Sequence, residues 1–189
     1  MKTRILLFAS MALALCSCAG KTLSPVQEAI VNEIKEKVSG EVSDFRFYTI
    51  GKVDSTTFRQ EFEHRQKAFE ARRDSDEKFL LKYTQEGKRK NAAIKQASYI
   101  KTVGILKGLD SLKRASSDIL DDVAYYDYVF SGKATGAGMS IEFNETYVSI
   151  TPDNVVMSMT ADKKDLHKSL GRVIPGYLEL MEGEEEPVE

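Results

Sequence analysis

Histidine and cysteine are scarce in this chain of 189 residues, two of each, and the spacing of its chemically able residues limits what each can do. It has two histidines, His64 and His167, far apart in the sequence. His64 stands in Glu61-Phe62-Glu63-His64-Arg65, with carboxylates beside it but no second imidazole or thiolate at the spacing of a zinc site. His167 follows Asp165 and would need a serine brought to it by folding, because the Gly-x-Ser-x-Gly turn that exposes a hydrolase nucleophile is missing. Asp118, Asp121 and Asp122 are carboxylates suited to acid–base work or a hard cation. No calcium-loop spacing surrounds them, and Asp118 after Ser116-Ser117 equally fits a cap. Gly132, Gly136 and Gly138 are spaced for turns, not for a phosphate loop that opens a helix. Tyr125, Tyr126 and Tyr128 offer large faces with polar tips. On a strand Tyr126, Tyr128 and Phe130 share one face and Tyr125 takes the other, which makes the first three candidate ligand or partner contacts. Core packing is the alternative for the same side chains. These patterns lead to no expected catalytic residue, metal site or cofactor, and the chain reads as non-enzymatic.

The sulfur chemistry is at the start. Lys2 and Arg4 precede an apolar run from Ile5 to Leu15, which is followed by Cys16, Ser17, Cys18, Ala19 and Gly20. That is a positive, then apolar, then small-residue order, as in an export signal. The run is about half the roughly 20 residues of a spanning helix. Leu15, Cys16, Ser17 and Cys18 resemble the lipobox of bacterial lipoproteins, in which an aliphatic residue, a tolerant position and a small residue precede the modified cysteine. The resemblance implies cleavage before Cys18, lipid on Cys18 and stable membrane attachment through several acyl chains. It also implies an outer-membrane address facing the periplasm, since the residues after Cys18 lack the aspartate linked to inner-membrane retention. Cleavage after Ala14, in the small-x-small group Ala12-Leu13-Ala14, is the rival and would release a soluble product. Both cysteines of the chain lie in this region, so no disulfide is expected in the body.

The remainder has to supply the fold that positions everything else. The expected organisation is a signal peptide over 1–17, a lipidated tether over 18–23, one α+β domain over 24–181 and an acidic tail over 182–189. Ser24 can cap a helix with Pro25 in its first turn and Gln27 completing a capping box. Val26, Ile30, Ile34 and Val38 then recur every four residues, and Gly40 closes the segment. Phe45 to Ile50 predicts a strand ending near Val53. From Thr57 to about Asp122 the composition favours helix, with Gly87 as the break. Two long helices result, one carrying Phe58, Phe62, Phe69, Leu80 and Tyr83, the other Tyr99, Val103, Leu106 and Leu109. Their apolar stripes thin around residues 72–77, so part of this hairpin should stand off the core.

After Asp122 the period changes to two. The spacing predicts an antiparallel meander with turns at Gly136-Ala137-Gly138, Asn144-Glu145 and Pro152-Asp153-Asn154, the last strand carrying Val155, Met157 and Met159. Asp162 caps a short helix through Leu170, and Tyr177 to Met181 adds a last turn after Pro175-Gly176. The expected class is α+β, an antiparallel β-meander with helices covering one face and a long helical hairpin inserted after the first strand.

The formal net charge of −2 hides a division. Arg59 to Arg114 holds 15 basic and 8 acidic residues, a net +7, whereas Asp118 to Glu189 holds 5 basic and 15 acidic, a net −10. A basic hairpin can meet an anionic lipid surface, an envelope polymer or an acidic envelope protein. It can equally be a solvated surface, because Lys95, Lys101, Lys107 and Lys113 recur every six residues and wind around a helix without lining up. Nucleic acid is not an expected partner, since no binding motif accompanies the charge. The expected function is a membrane-anchored envelope module that binds a partner; a small-ligand carrier for lipid or glycan, with a pocket between sheet and helices, is the alternative.

Replacing Cys18 by Ala is expected to abolish metabolic acyl labelling and leave unprocessed or mislocalised precursor. Normal cleavage with a soluble product would instead identify the site after Ala14.

Overall fold

Ser24 starts the first helix by the reciprocal bonds its sequence suggests. Its hydroxyl accepts from the Gln27 amide at 3.3 Å, and the Gln27 side chain accepts from the Ser24 amide at 2.9 Å. In the computed structural model, which describes residues 22–38, 42–136, 138–168 and 170–182, helix α1 then spans Pro25–Lys37. Gly40, the acidic residues beyond 182 and the whole processing region with Cys18 lie outside the described residues. Strand β1 (Asp44–Thr57) runs without a loop into α2 (Phe58–Gln85), which returns through Gly87 into α3 (Arg89–Ala115). Gly87 has a φ of +68°, a conformation that glycine adopts without strain. Strands β2 (Val123–Gly136), β3 (Met139–Ile150) and β4 (Val156–Thr160) follow. Two 3-10 turns, Lys163–Asp165 and Leu170–Val173, lead into α4 (Tyr177–Glu182).

The class is α+β, with the hairpin inserted after β1 as its composition predicts. The sheet is wholly antiparallel in the order β1-β2-β3-β4. Asp44 sits opposite Thr135 and Thr57 opposite Val123, so β1 pairs along nearly all of β2. One face packs on α1. Ile30 and Ile34 meet Phe130, Ala134, Val148 and Ile150, all buried. The Phe130 ring lies 5.8 Å from that of Phe47, 5.9 Å from Phe143 and 6.3 Å from Phe45, which fills the space between sheet and helix with aromatic volume.

By strand alternation Tyr125, Asp127 and Ser149 point to the other face. The end of that face where β1 leaves the sheet is covered as well. Tyr125 and Ala124 pack on Leu170 there, with Phe58 and Met157 alongside. The hairpin root adjoins them, where Phe62 from α2 meets Ile105 and Leu109 from α3, closed by Leu120, Ile174 and the α4 side chains Leu180 and Met181.

Several expectations change, among them the short helix from Asp162 through Leu170, in whose place stand a 3-10 turn over Lys163–Asp165 and a second over Leu170–Val173. Helices were expected over one sheet face; α1 and the hairpin root take opposite faces, because Tyr125 and Phe130 are both buried and lie on opposite sides of one strand. Asn144-Glu145 was expected to be a turn; it is a bulge inside the continuous strand β3, with two residues between Phe143 and Thr146 opposite the single Ser131. Glu145 takes a φ of +39° to make that bulge. Val155, Met157 and Met159 were expected to share a face. The register shift between Ser149 and Ile150 instead leaves Val155 55% exposed, sends Met157 to Tyr125 and sends Met159 to the α1 side. β1 also extends past Val53 to Thr57.

Gly132 is a packing requirement. A Cβ there would lie 2.7 Å from the Arg46 carbonyl and 2.8 Å from the Phe45 ring, whereas one on Gly51 would meet nothing within 4 Å. Gly132→Ala is expected to cost about 1–3 kcal/mol in urea denaturation by overpacking, and Gly51→Ala much less. Equal losses at the two positions would contradict this packing.

Candidate functional site

The direct passage of β1 into α2 places the first helical turn beneath the sheet. Thr57 ends the strand and caps the helix, its hydroxyl accepting from the Gln60 amide at 3.3 Å while Gln60 accepts from the Thr57 amide at 2.9 Å. One turn on, Glu61 has no solvent exposure. Its carboxylate accepts from Arg65 Nε at 2.6 Å and from the Tyr125 hydroxyl at 2.9 Å. Arg65 follows Glu61 by four residues, the spacing that stacks side chains on a helix. Its two remaining nitrogens donate to the backbone oxygens of His167 at 2.6 Å and Lys168 at 3.2 Å. Burial pushes the Tyr125 phenol well above its usual pKa, and Thr56 also bonds it.

A second carboxylate lies on the same sheet face. Asp127 accepts from the fully buried Ser149 hydroxyl at 2.5 Å, and its other oxygen is 2.7 Å from His167 Nε2. The His167 ring packs against Tyr125 at 5.5 Å between centroids, which joins the two carboxylates into one network. Asp127 raises the His167 pKa above its ordinary value, chiefly through the hydrogen bond and against the opposing effect of burial.

The arrangement holds a serine, an aspartate and a histidine, but in the wrong order for nucleophilic catalysis. A serine nucleophile needs the imidazole between hydroxyl and carboxylate. Here the carboxylate sits between them, and the Ser149 hydroxyl is sealed in the core. What the network does physically is tie α2, two strands and the 163–174 segment together at one point.

The candidate contacts fall elsewhere. Phe130 is buried among the other phenylalanines, Tyr128 is half-buried beside it, and the Lys52 ammonium covers the Tyr126 ring at 3.8 Å. The Glu61 network is on the opposite face. His64 lies on the edge of that network, its Nδ1 3.8 Å from Glu61 with over half the side chain in solvent. His167 is not a free surface histidine as its context suggests, since Asp127 holds it. Asp121 is taken by Arg59, whose Nε is 2.9 Å away. Among the described residues no group of three or more histidines, cysteines or carboxylates could hold a metal ion. None of their helices is long and apolar enough to cross a membrane. A shallow open depression near the end of α3, bordered by Asp110, Lys113, Arg114 and Leu120, lies apart from the network.

Glu61, Arg65, Asp127 and Ser149 escape the sequence reading. A signal for the first pair exists: Glu61 and Arg65 fall in the stripe of Phe58, Phe62 and Phe69, where an ion pair must be buried with the apolar residues. Comparison with protein families, with curated proteins and with solved structures finds no match to this chain.

Two measurements check the network. Arg65→Ala leaves a buried carboxylate without its cation and is expected to cost about 3–5 kcal/mol in urea denaturation; a loss within the range of surface substitutions would contradict the geometry. The folded-state pKa of His167 is raised, so its stabilising pairing with Asp127 is complete below the unfolded value of about 6.5 and is lost as pH rises through the raised value. His167→Gln should remove that decline in stability with rising pH, and an unchanged slope would show that the pair does not form.

Proposed function

We propose that this protein is a membrane-anchored envelope lipoprotein that works by binding, with the α2–α3 hairpin as its contact arm. The observation that carries the reading is that the hairpin outruns the core. A helix of the length of α2, 28 residues, extends about 40 Å. Yet the described apolar clusters take no residue between 70 and 104.

The distal part is held by polar chemistry. Asp76 is 3% exposed and accepts from Lys95 Nζ at 2.7 Å and from the Ser98 hydroxyl at 2.6 Å, bonds that lower its pKa. This pin joins α2 and α3 where no buried apolar cluster does, with Leu80, Tyr83, Ala92 and Tyr99 half-buried on the same part of the hairpin. Apolar side chains nearby face solvent instead: Leu81 is 59% exposed, Ile94 58% and Ile100 62%. A single exposed aliphatic is ordinary, but several on one protruding arm suit a contact surface. The lipobox-like group ending at Cys18 supports the anchor. A ligand carrier is less well supported, because Phe45, Phe47, Phe130 and Phe143 occupy the space between α1 and the sheet.

The test places a photo-crosslinking residue at Leu81, at Ile94 or at Glu142 on the exposed part of the sheet, in cells making the full chain. The reading expects specific adducts from the hairpin positions and none from Glu142. Adducts confined to Glu142, or absent from both hairpin positions, would refute it.

A further inference from the structure

The sequence of α3 is one-sided in charge over most of its length. Between Glu86 and Asp110 the chain has no acidic residue, but six basic ones, Lys88, Arg89, Lys90, Lys95, Lys101 and Lys107, of which Lys95 turns inward to Asp76 and Lys88 pairs with Glu86. The other helix of the hairpin mixes both signs, with Glu70, Asp74 and Glu77 among its basic residues. α3 is also apolar on two sides. Thr102, Ile105 and Leu109 face inward and are buried. At 100° per residue Lys90, Ala93, Ile94, Ala97 and Ile100 fall within an arc of about 120°, centred roughly 110° from that side with Ile94 at its near edge. All five are exposed, the two isoleucines by more than half.

We propose that this arc lies on an anionic phospholipid surface, that of the membrane which carries the anchor. The proposal rests on the hairpin being the contact arm and names what it contacts. Basic residues beside exposed aliphatics, with no acidic residue to repel phosphate, are the composition of a helix lying in the membrane interface. Isoleucine side chains enter between headgroups, while Lys90 and Lys107, both exposed, keep their ammonium groups at the phosphate level.

Tether length agrees. Between Cys18 and the cap Ser24 the chain has five residues, which span roughly 20 Å when extended. That is shorter than the hairpin, so a body anchored at Cys18 is held where the arm can reach the same surface, at high effective concentration. An acidic protein groove would attract the same lysines, and the test separates it.

The full chain, as purified from membranes, is labelled with a polarity-sensitive fluorophore at Ile100→Cys, or at Glu142→Cys as reference, and reconstituted into phosphatidylcholine vesicles with or without phosphatidylglycerol. The proposal expects a blue shift and several-fold stronger quenching by brominated lipid at position 100 than at 142, only with phosphatidylglycerol. High salt or the double change Lys90→Glu with Lys107→Glu should abolish it, with circular dichroism confirming that the helices remain. A probe at 100 as water-exposed as the one at 142 in anionic vesicles overturns the lipid proposal. If the probe in native membranes is then shielded but not quenched by lipid, the contact arm stands and its partner is a protein. If it is water-exposed there too, the contact-arm reading falls as well.

Discussion

Removing the Glu61 carboxylate from water sets the terms for the rest of the molecule. An isolated buried charge is far costlier than any single contact in the fold, so cation and donors must come to it from elsewhere. Arg65 supplies the charge from the next turn, and Tyr125 supplies a hydroxyl from β2. Arg65 then reaches the His167 and Lys168 carbonyls, and His167 reaches Asp127. Among the described residues no buried side-chain nitrogen or oxygen is left without a partner. One buried acid thereby fixes the angle at which the hairpin leaves the sheet and the path of the chain after β4. The apolar clusters on either side supply most of the stabilisation but little of that directional constraint, because apolar packing is not directional.

Local signals were legible wherever a single segment contained them. The capping box at Ser24, the glycine break at Gly87 and the change of period after Asp122 each depend on neighbours within a few residues, and each appears in the structure where the sequence puts it. The thinning of apolar residues near 72–77 likewise marks where the hairpin leaves its core. Strand registers were less legible. A bulge adds one residue to a strand, and Asn144-Glu145 looks like a turn until β2 is seen to be long enough to pair on both sides of it. The same effect puts the two methionines of β4 on opposite faces.

The buried network was hidden for a different reason. Some of its members are more than a hundred residues apart, and each has an ordinary explanation where it stands: Glu61 as a first-turn acid, Asp127 as the polar half of an alternating strand, His167 as a turn residue. Only the pairing of β1 with β2 and the return of the 163–174 segment bring them together. Tyr126, Tyr128 and Phe130 were conspicuous in the sequence because aromatics are large. Conspicuous size turns out to mark the packed side of the sheet, and the polar constraint sits behind it.

The central claim is that this network holds the hairpin as a rigid arm projecting from the sheet. Spin labels at Leu81 on the distal part of α2 and at Glu142 on β3 allow a direct reading by pulsed electron–electron dipolar spectroscopy. A fixed arm gives one long, narrow distance distribution. A broad distribution, or a short distance from an arm folded back on the sheet, would contradict the account.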